Sequence, residues 1–283
     1  MIDDMMDDLS PISPPRQGPG RRAREVGRSR IPSILPLLGI LVMLTLLLPT
    51  VVLLIHQPWS RLGRDWSRMG WGPLRVSLET TGVAMMVMVA SGTPLGLWLA
   101  RGGVGSRWVE YALLLPLLMP PLVVGLILAD ILGPYGLLGP ALGALRLSGT
   151  NSALAVVVAE IYEAMPYYVL AVVASVRQVP QALEEAAWML GARPFETIWR
   201  VTVPLAWPGL LAGLAMAFAR SVGAFGAVIV VAYYPHTLPV AIWIGLQEQG
   251  ISQAFPLALL LLLVALPAPL ILYFWRRGRY AHL

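Results

Sequence analysis

The chain has no cysteine and no lysine, and charge is scarce: only 12% of its 283 residues are Asp, Glu, Lys or Arg. Each absence excludes a class of chemistry. Without cysteine there is no disulfide, thiolate metal site, iron–sulfur cluster or thiol nucleophile. All 20 basic side chains are arginines, so the lysine that a Walker A loop sets on nucleotide phosphates is missing, and the usual ATPase site cannot be built from this chain alone. His56, His236 and His282 lie far apart and show no metal-ligand spacing. What is present is apolar. Hydrophobic residues make up 57% of the chain and the mean hydropathy is +0.72, which leaves too little polar surface for a water-soluble globule. The chain reads as an all-α integral membrane protein embedded in a lipid bilayer, with no feature that points to nucleic acid.

Residues 1–30 pass from Asp3, Asp4, Asp7 and Asp8 through a Ser/Pro/Gly stretch to Arg21, Arg22, Arg24, Arg28 and Arg30. With so little to bury, they are expected to form a disordered tail, ahead of one transmembrane domain over residues 31–283. A basic stretch before an apolar one also suggests a signal peptide. The apolar run from Ile34 to Ile55 is too long for that, and no small-residue cleavage site follows it.

A helix needs about twenty apolar residues to cross the hydrocarbon core, and six stretches qualify. They are Ile34–Ile55, Leu74–Ala100, Val109–Leu132, Ser152–Val176, Leu205–Ala232 and Phe255–Trp275. With both termini in the cytoplasm, fourteen arginines fall inside, five outside, and Arg220 within a span. That bias obeys the positive-inside rule of a multi-pass plasma-membrane protein. Trp59, Trp66 and Trp71, with the arginines around them, read as an interfacial belt on the first external loop.

The longest polar interruption of the C-terminal half runs from residue 177 to 208. Pro180 opens it, and Leu183, Ala186, Ala187 and Leu190 recur at helical spacing. Gly191 stands where a helix ends. Pro194 is suited to begin a second short helix, Phe195–Val201, which Pro204 is expected to stop. Two such helices between spans would offer a stripe to a partner or pack on their own protein.

Glu185-Ala186-Ala187, followed by Gly191 and then Val201-x-Val203-Pro204, resembles the EAA loop of binding-protein-dependent ABC importer permeases. That family favours Ile and Leu where Val201 and Val203 stand. The resemblance implies a six-helix type I (MetI-like) permease fold in which Glu184, Glu185, Ala186, Ala187, Gly191, Pro194 and Pro204 belong to a cytoplasmic coupling helix and its flanks. It also implies a homodimer with two ATPase subunits, which hold the ATP-Mg, and an extracytoplasmic substrate-binding protein. This chain itself would bind no cofactor and would not be an enzyme.

Within the spans, Pro120, Pro121 and Gly125 break the third. Such breaks are tolerated where protein or a water-lined cavity satisfies the freed backbone. Span five is rich in Gly and Ala, so it belongs at the centre of the bundle. Charge at membrane depth is costly, yet Arg220 lies in span five, and Glu160 and Glu163 share one face of span four. Either the three form an ion pair that fixes packing, or Arg220 offers positive potential to a passing anion. The stretches Leu115–Gly125, Pro204–Gly209 and Ala217–Ala227 resemble permeases for molybdate, tungstate and sulfate. Tyr233-Tyr234-Pro235 and Leu238-Pro239 are similar to the molybdate and tungstate branch. On that resemblance Arg220, Gly223, Phe225 and Gly226 join Pro120, Pro121 and Gly125 along a translocation pathway. Ala224 departs from the family's frequent acid, which leaves the charge of Arg220 to Glu160 or Glu163, or free. Two rivals remain: an ion-coupled secondary transporter using Glu160, Glu163 and Asp130, and a non-transporting scaffold.

Overall fold

The computed structural model describes residues 34–57, 59, 66 and 70–271. The expected tail, most of the first external loop, and Trp275 with the arginines after it lie outside them. The described residues fall into two separate compact units that divide between Val51 and Val52. The described part of the first belongs to α1 (Ile34–Ile55), whose 22 residues span roughly 33 Å at 1.5 Å per residue. From Leu35 to Ile55 all its side chains but the half-buried Leu53 are exposed, as suits a helix that faces lipid.

The regular elements among the described residues of the second unit are all helices. Helix α2 (Trp71–Ala100) is long enough to cross a bilayer. The expected third span is two pieces: α3 (Ser106–Ala112) with α4 (Leu114–Leu118), and α5 (Pro121–Leu132), meeting at a bend of 106°. Proline disfavours helical geometry in the residue before it. Met119 (ψ 132°) and Pro120 (ψ 133°) are both extended, and Pro121 opens α5, where its missing N–H costs nothing. The short α6 (Gly139–Ala144) lies in the next loop. Ser152 then caps α7 (Ala153–Arg177), its hydroxyl accepting from Ala155 N at 3.2 Å.

After α8 (Gln181–Met189), α9 (Pro194–Thr197) runs through a π-turn (Ile198–Thr202) into α10 (Val203–Val222). The expected separate second loop helix is therefore the first turns of span five, and Pro204 stops nothing. Val203 N–H bonds to Ile198 O, five residues back. That wider turn accommodates a proline that has no N–H to donate and whose ring would crowd the preceding turn. The span also ends early, at Val222. Gly223 to Phe225 form a joint, and α11 (Gly226–Val231) is a separate short helix. An unforeseen α12 (Leu238–Gln249) precedes α13 (Ile251–Ala265), whose helical course continues to Ile271. Five described helices are long and apolar enough to cross a membrane, or six if the bent pair counts as one.

Helix α7 is the centre of the second unit, with buried side chains recurring from Ala155 to Val176. Lipid tails are as apolar as leucine, so membrane helices associate through close packing rather than through the hydrophobic effect. Glycines four apart make this possible on two sides. Gly92 and Gly96 of α2 lie on Tyr168 and Val172 of α7, and Gly209 and Gly213 of α10 lie on Ser175 and Ala171. A methyl at Gly96 would come within 2.6 Å of Val172, and one at Gly213 within 2.5 Å of Ala171. Gly213→Val is expected to push α10 off α7 at a cost of about 1–3 kcal/mol, lowering the unfolding midpoint in detergent. Gly82→Val, on an open face of α2, is the control expected to change little.

Candidate functional site: a surface helix and a polar membrane core

Two clusters of the expected residues are built by this packing. The first is α8 and its turn. Gly191 has φ +87°, the left-handed region that glycine enters without strain. Gly191 N–H bonds to Trp188 O at 2.9 Å and Ala192 N–H to Ala187 O at 3.0 Å. This bond pair is the Schellman closure of a helix. The turn leaves Leu183, Trp188, Met189 and Leu190 exposed, the last two at 87% and 90%. Phe195 and Trp199 extend the surface, their rings edge to face at 6.1 Å. Glu185, Pro194 and Pro204 are exposed as well. The apolar stripe therefore does not pack on its own protein. The inward residue is Glu184, 7% exposed, which accepts from the Arg101 guanidinium and from Thr202 Oγ1. At the C-terminal end of α7, Arg177 grips Glu110 of α3 through two bonds of 3.0 and 2.8 Å.

The second cluster surrounds the joint at 223–225. Arg220 pairs with Glu163, its Nη2 lying 2.8 Å from Oε2, and Glu163 Oε1 accepts from Ala227 N–H at 3.2 Å. Glu160 does not join the arginine. It accepts from Thr80 Oγ1 at 2.9 Å and Ser221 Oγ at 3.2 Å. Two carboxylates on one face of α7 thus hold the chain just before and just after the joint. Arg220 keeps 34% of its side chain exposed while Glu163 keeps 3%, so one edge of the guanidinium stays open. Ala224, where an acid was expected by resemblance, is buried among Val124, Val156 and Ala227. The counter-charge comes from α7 instead.

The other pathway residues gather here too. Gly125 of α5 faces Ala227, and Gly226 faces Pro121; a methyl would come within 2.7 and 2.5 Å respectively. Phe225 meets Trp243 of α12 at 5.7 Å between ring centroids, Gly223 caps α10, and Pro120 sits at the bend of the broken span. Sequence reasoning missed Thr80, Ser221, Arg101 and Thr202. The signal for Thr80 was available, since hydroxyls in an apolar span need a polar partner. Arg101 was read only as a charge on the cytoplasmic side.

Helices of bilayer-spanning length around a polar, broken core define a polytopic membrane protein. Residues 92–278 match the family model described as binding-protein-dependent transport system inner membrane component. A probable molybdenum ABC transporter permease protein of Haloferax volcanii is 37% identical over 90% of this chain and 95% of its own length. A sulfate transport system permease protein of Synechocystis is 30% identical over 86% of this chain and 89% of its own. Among solved structures, a bacterial ABC transporter involved in the import of the acidic polysaccharide alginate matches with a TM-score of 0.66. That match covers 85% of this chain and 94% of the other at 17% identity. The chain belongs to the binding-protein-dependent transport system inner membrane component family, the permease subunits of ABC transporters. It is a multi-pass inner-membrane transport component, not an enzyme, and its all-helical fold is that of the family.

Proposed function

We propose that this chain is the permease of an ATP-driven importer of a tetrahedral oxyanion, molybdate first and tungstate with it. It works as a homodimer with two ATPase subunits, which hold ATP-Mg, and an extracytoplasmic binding protein. Both termini are cytoplasmic. The observation that carries the reading is the outward apolar face of α8, Trp188, Met189 and Leu190, in a chain whose molybdenum permease relative spans nearly its full length. The ATPase docks on α8; ATP closes the ATPase pair, α8 moves with it, and the broken span, α7 and the 223–225 joint exchange access from one side to the other as rigid bodies. Pro121, Gly125, Gly223, Phe225 and Gly226 shape the passage at the joint. The open edge of Arg220 supplies positive potential there.

Purified permease, its ATPase and its binding protein in proteoliposomes test this with labelled molybdate, tungstate and sulfate. Uptake is expected to require ATP and the binding protein and to favour molybdate and tungstate. Met189→Asp with Leu190→Asp removes apolar burial worth roughly 1.5–3 kcal/mol per side chain, and so is expected to weaken ATPase co-purification at least about tenfold. The sulfate permease relative favours a second reading, which uptake of sulfate with exclusion of molybdate would establish. Uptake that needs no ATPase and collapses with an uncoupler would instead favour an ion-coupled carrier.

A further inference from the structure

Helix α8 has one residue turned into the protein. Glu184 is its only buried side chain, and a single carboxylate oxygen, Oε1, takes both the Arg101 guanidinium and the Thr202 hydroxyl, the latter at 2.5 Å. Arg101 caps the C-terminal end of α2. Thr202 is the last residue of the π-turn at the start of α10. One oxygen therefore ties the surface helix both to the span that lies 83 residues before it and to the span that follows it, 18 residues on. Nine residues are too few for a helix to stand alone in water, and the remaining side chains of α8 are exposed or half-exposed. Charge-assisted bonds to a carboxylate are about twice as strong as neutral ones, and these are sheltered from solvent. The two spans reached are those that clasp α7 through Gly92, Gly96, Gly209 and Gly213. A push on α8 thus has a stiff polar route into the packed centre. It enters α10 at the π-turn, where the regular α bonding of that span is interrupted.

We infer that Glu184 is the positioning residue that transmits docking: through its carboxylate, displacement of α8 is passed to α2 by Arg101 and to α10 by Thr202. Glu185, one residue on, faces outward and is left to the docking surface. The inference rests on the importer reading above and deepens it by naming the link between the docked surface and the spans.

Two measurements separate that link from the reading beneath it. Amide exchange across α8 in the purified permease, with no ATPase present, reports the clamp alone. Glu184→Gln weakens the bond to Arg101, and Glu184→Gln with Thr202→Val removes the hydroxyl's bond as well; exchange is expected to rise at least about tenfold in the double variant. In the reconstituted importer, Glu184→Gln is expected to lower uptake about tenfold, within the range of ordinary coupling energies, while the ATPase still co-purifies and hydrolyses ATP. Exchanging the charges, Arg101→Glu with Glu184→Arg, is expected to recover a large part of that uptake. Unchanged exchange overturns the clamp whatever the chain transports. Parallel loss of ATPase binding and uptake, with no recovery on charge exchange, overturns the transmission role and leaves Glu184 a structural residue. A wild-type permease that recruits no ATPase overturns the importer reading and the transmission role with it, while the exchange result still decides the clamp.

Discussion

Replacing Gly191 by valine is expected to cut ATP-driven uptake by at least about tenfold while leaving the helical bundle folded, and replacing it by asparagine is expected to keep most of the activity. The cause is backbone geometry. No atom lies within 4 Å of where a Cβ would sit on Gly191, so the space is open to either side chain. At φ +87°, however, most L-residues lose about 1–2 kcal/mol, and a β-branched one is the least tolerant. Asparagine adopts this conformation more readily. A valine relieves the strain by opening the bonds from Gly191 to Trp188 and from Ala192 to Ala187, which displaces Met189 and Leu190. Uptake and ATPase co-purification of the two variants side by side check this. Equal behaviour of valine and asparagine would show that the turn's handedness is not what matters.

Removing Glu163 alone is expected to be among the most destabilising single changes in the spans. It strands Arg220 and also frees the Ala227 N–H. Breaking a fully buried ion pair costs about 3–5 kcal/mol; with a third of Arg220 exposed, about 2–3 kcal/mol is the expectation for Glu163→Leu. Glu163→Leu with Arg220→Leu is expected to recover most of the loss, because two well-packed apolar groups replace the pair without a stranded charge. Thermal unfolding in detergent measures both. The double variant then reads the arginine's part in transport free of a folding defect. If it is stable and imports molybdate at the wild-type rate, Arg220 has no role in the passage.

The spans were legible because length and hydropathy act locally. Helix α1 has its expected bounds, and α2 and α7 differ from theirs by at most three residues. The turn at Gly191 was legible for the same reason, since a glycine after a helical repeat has few other uses. What could not be read depended on partners far away in sequence. The repeat of Leu183, Ala186, Ala187 and Leu190 suggested an apolar stripe, and the structure leaves its two leucines exposed, but nothing within the loop marks Glu184 as the inward residue. Its burial is possible only because Arg101, 83 positions earlier, arrives beside it. Likewise Glu160 and Glu163 sit on one face and look interchangeable as partners for Arg220. Thr80 and Ser221 occupy the first, which leaves the arginine to the second. Pro204 shows the converse error. Proline is a reliable breaker only of regular α-helix, and a π-turn just before it lets the helix run on.

The paired glycines of α2 and α10 that pack against α7 set which motions are open to the bundle. Gliding α2 or α10 along α7 as a screw by one residue, about 1.5 Å along the axis with about 100° of turn, would bring Leu97 or Leu214 to a place where even one extra methyl is too large. Sideways gliding is thus blocked like a key held by its notches, and the three helices have one shared register. Freedom is left where the chain is not notched against α7: at the bend after Met119 and at the residues between α10 and α11. A permease built in this way has little use for a supple bundle. On the proposed alternating-access reading, its working stroke is concentrated in two short hinges, each a few residues long and each set against the other across Gly125 and Gly226.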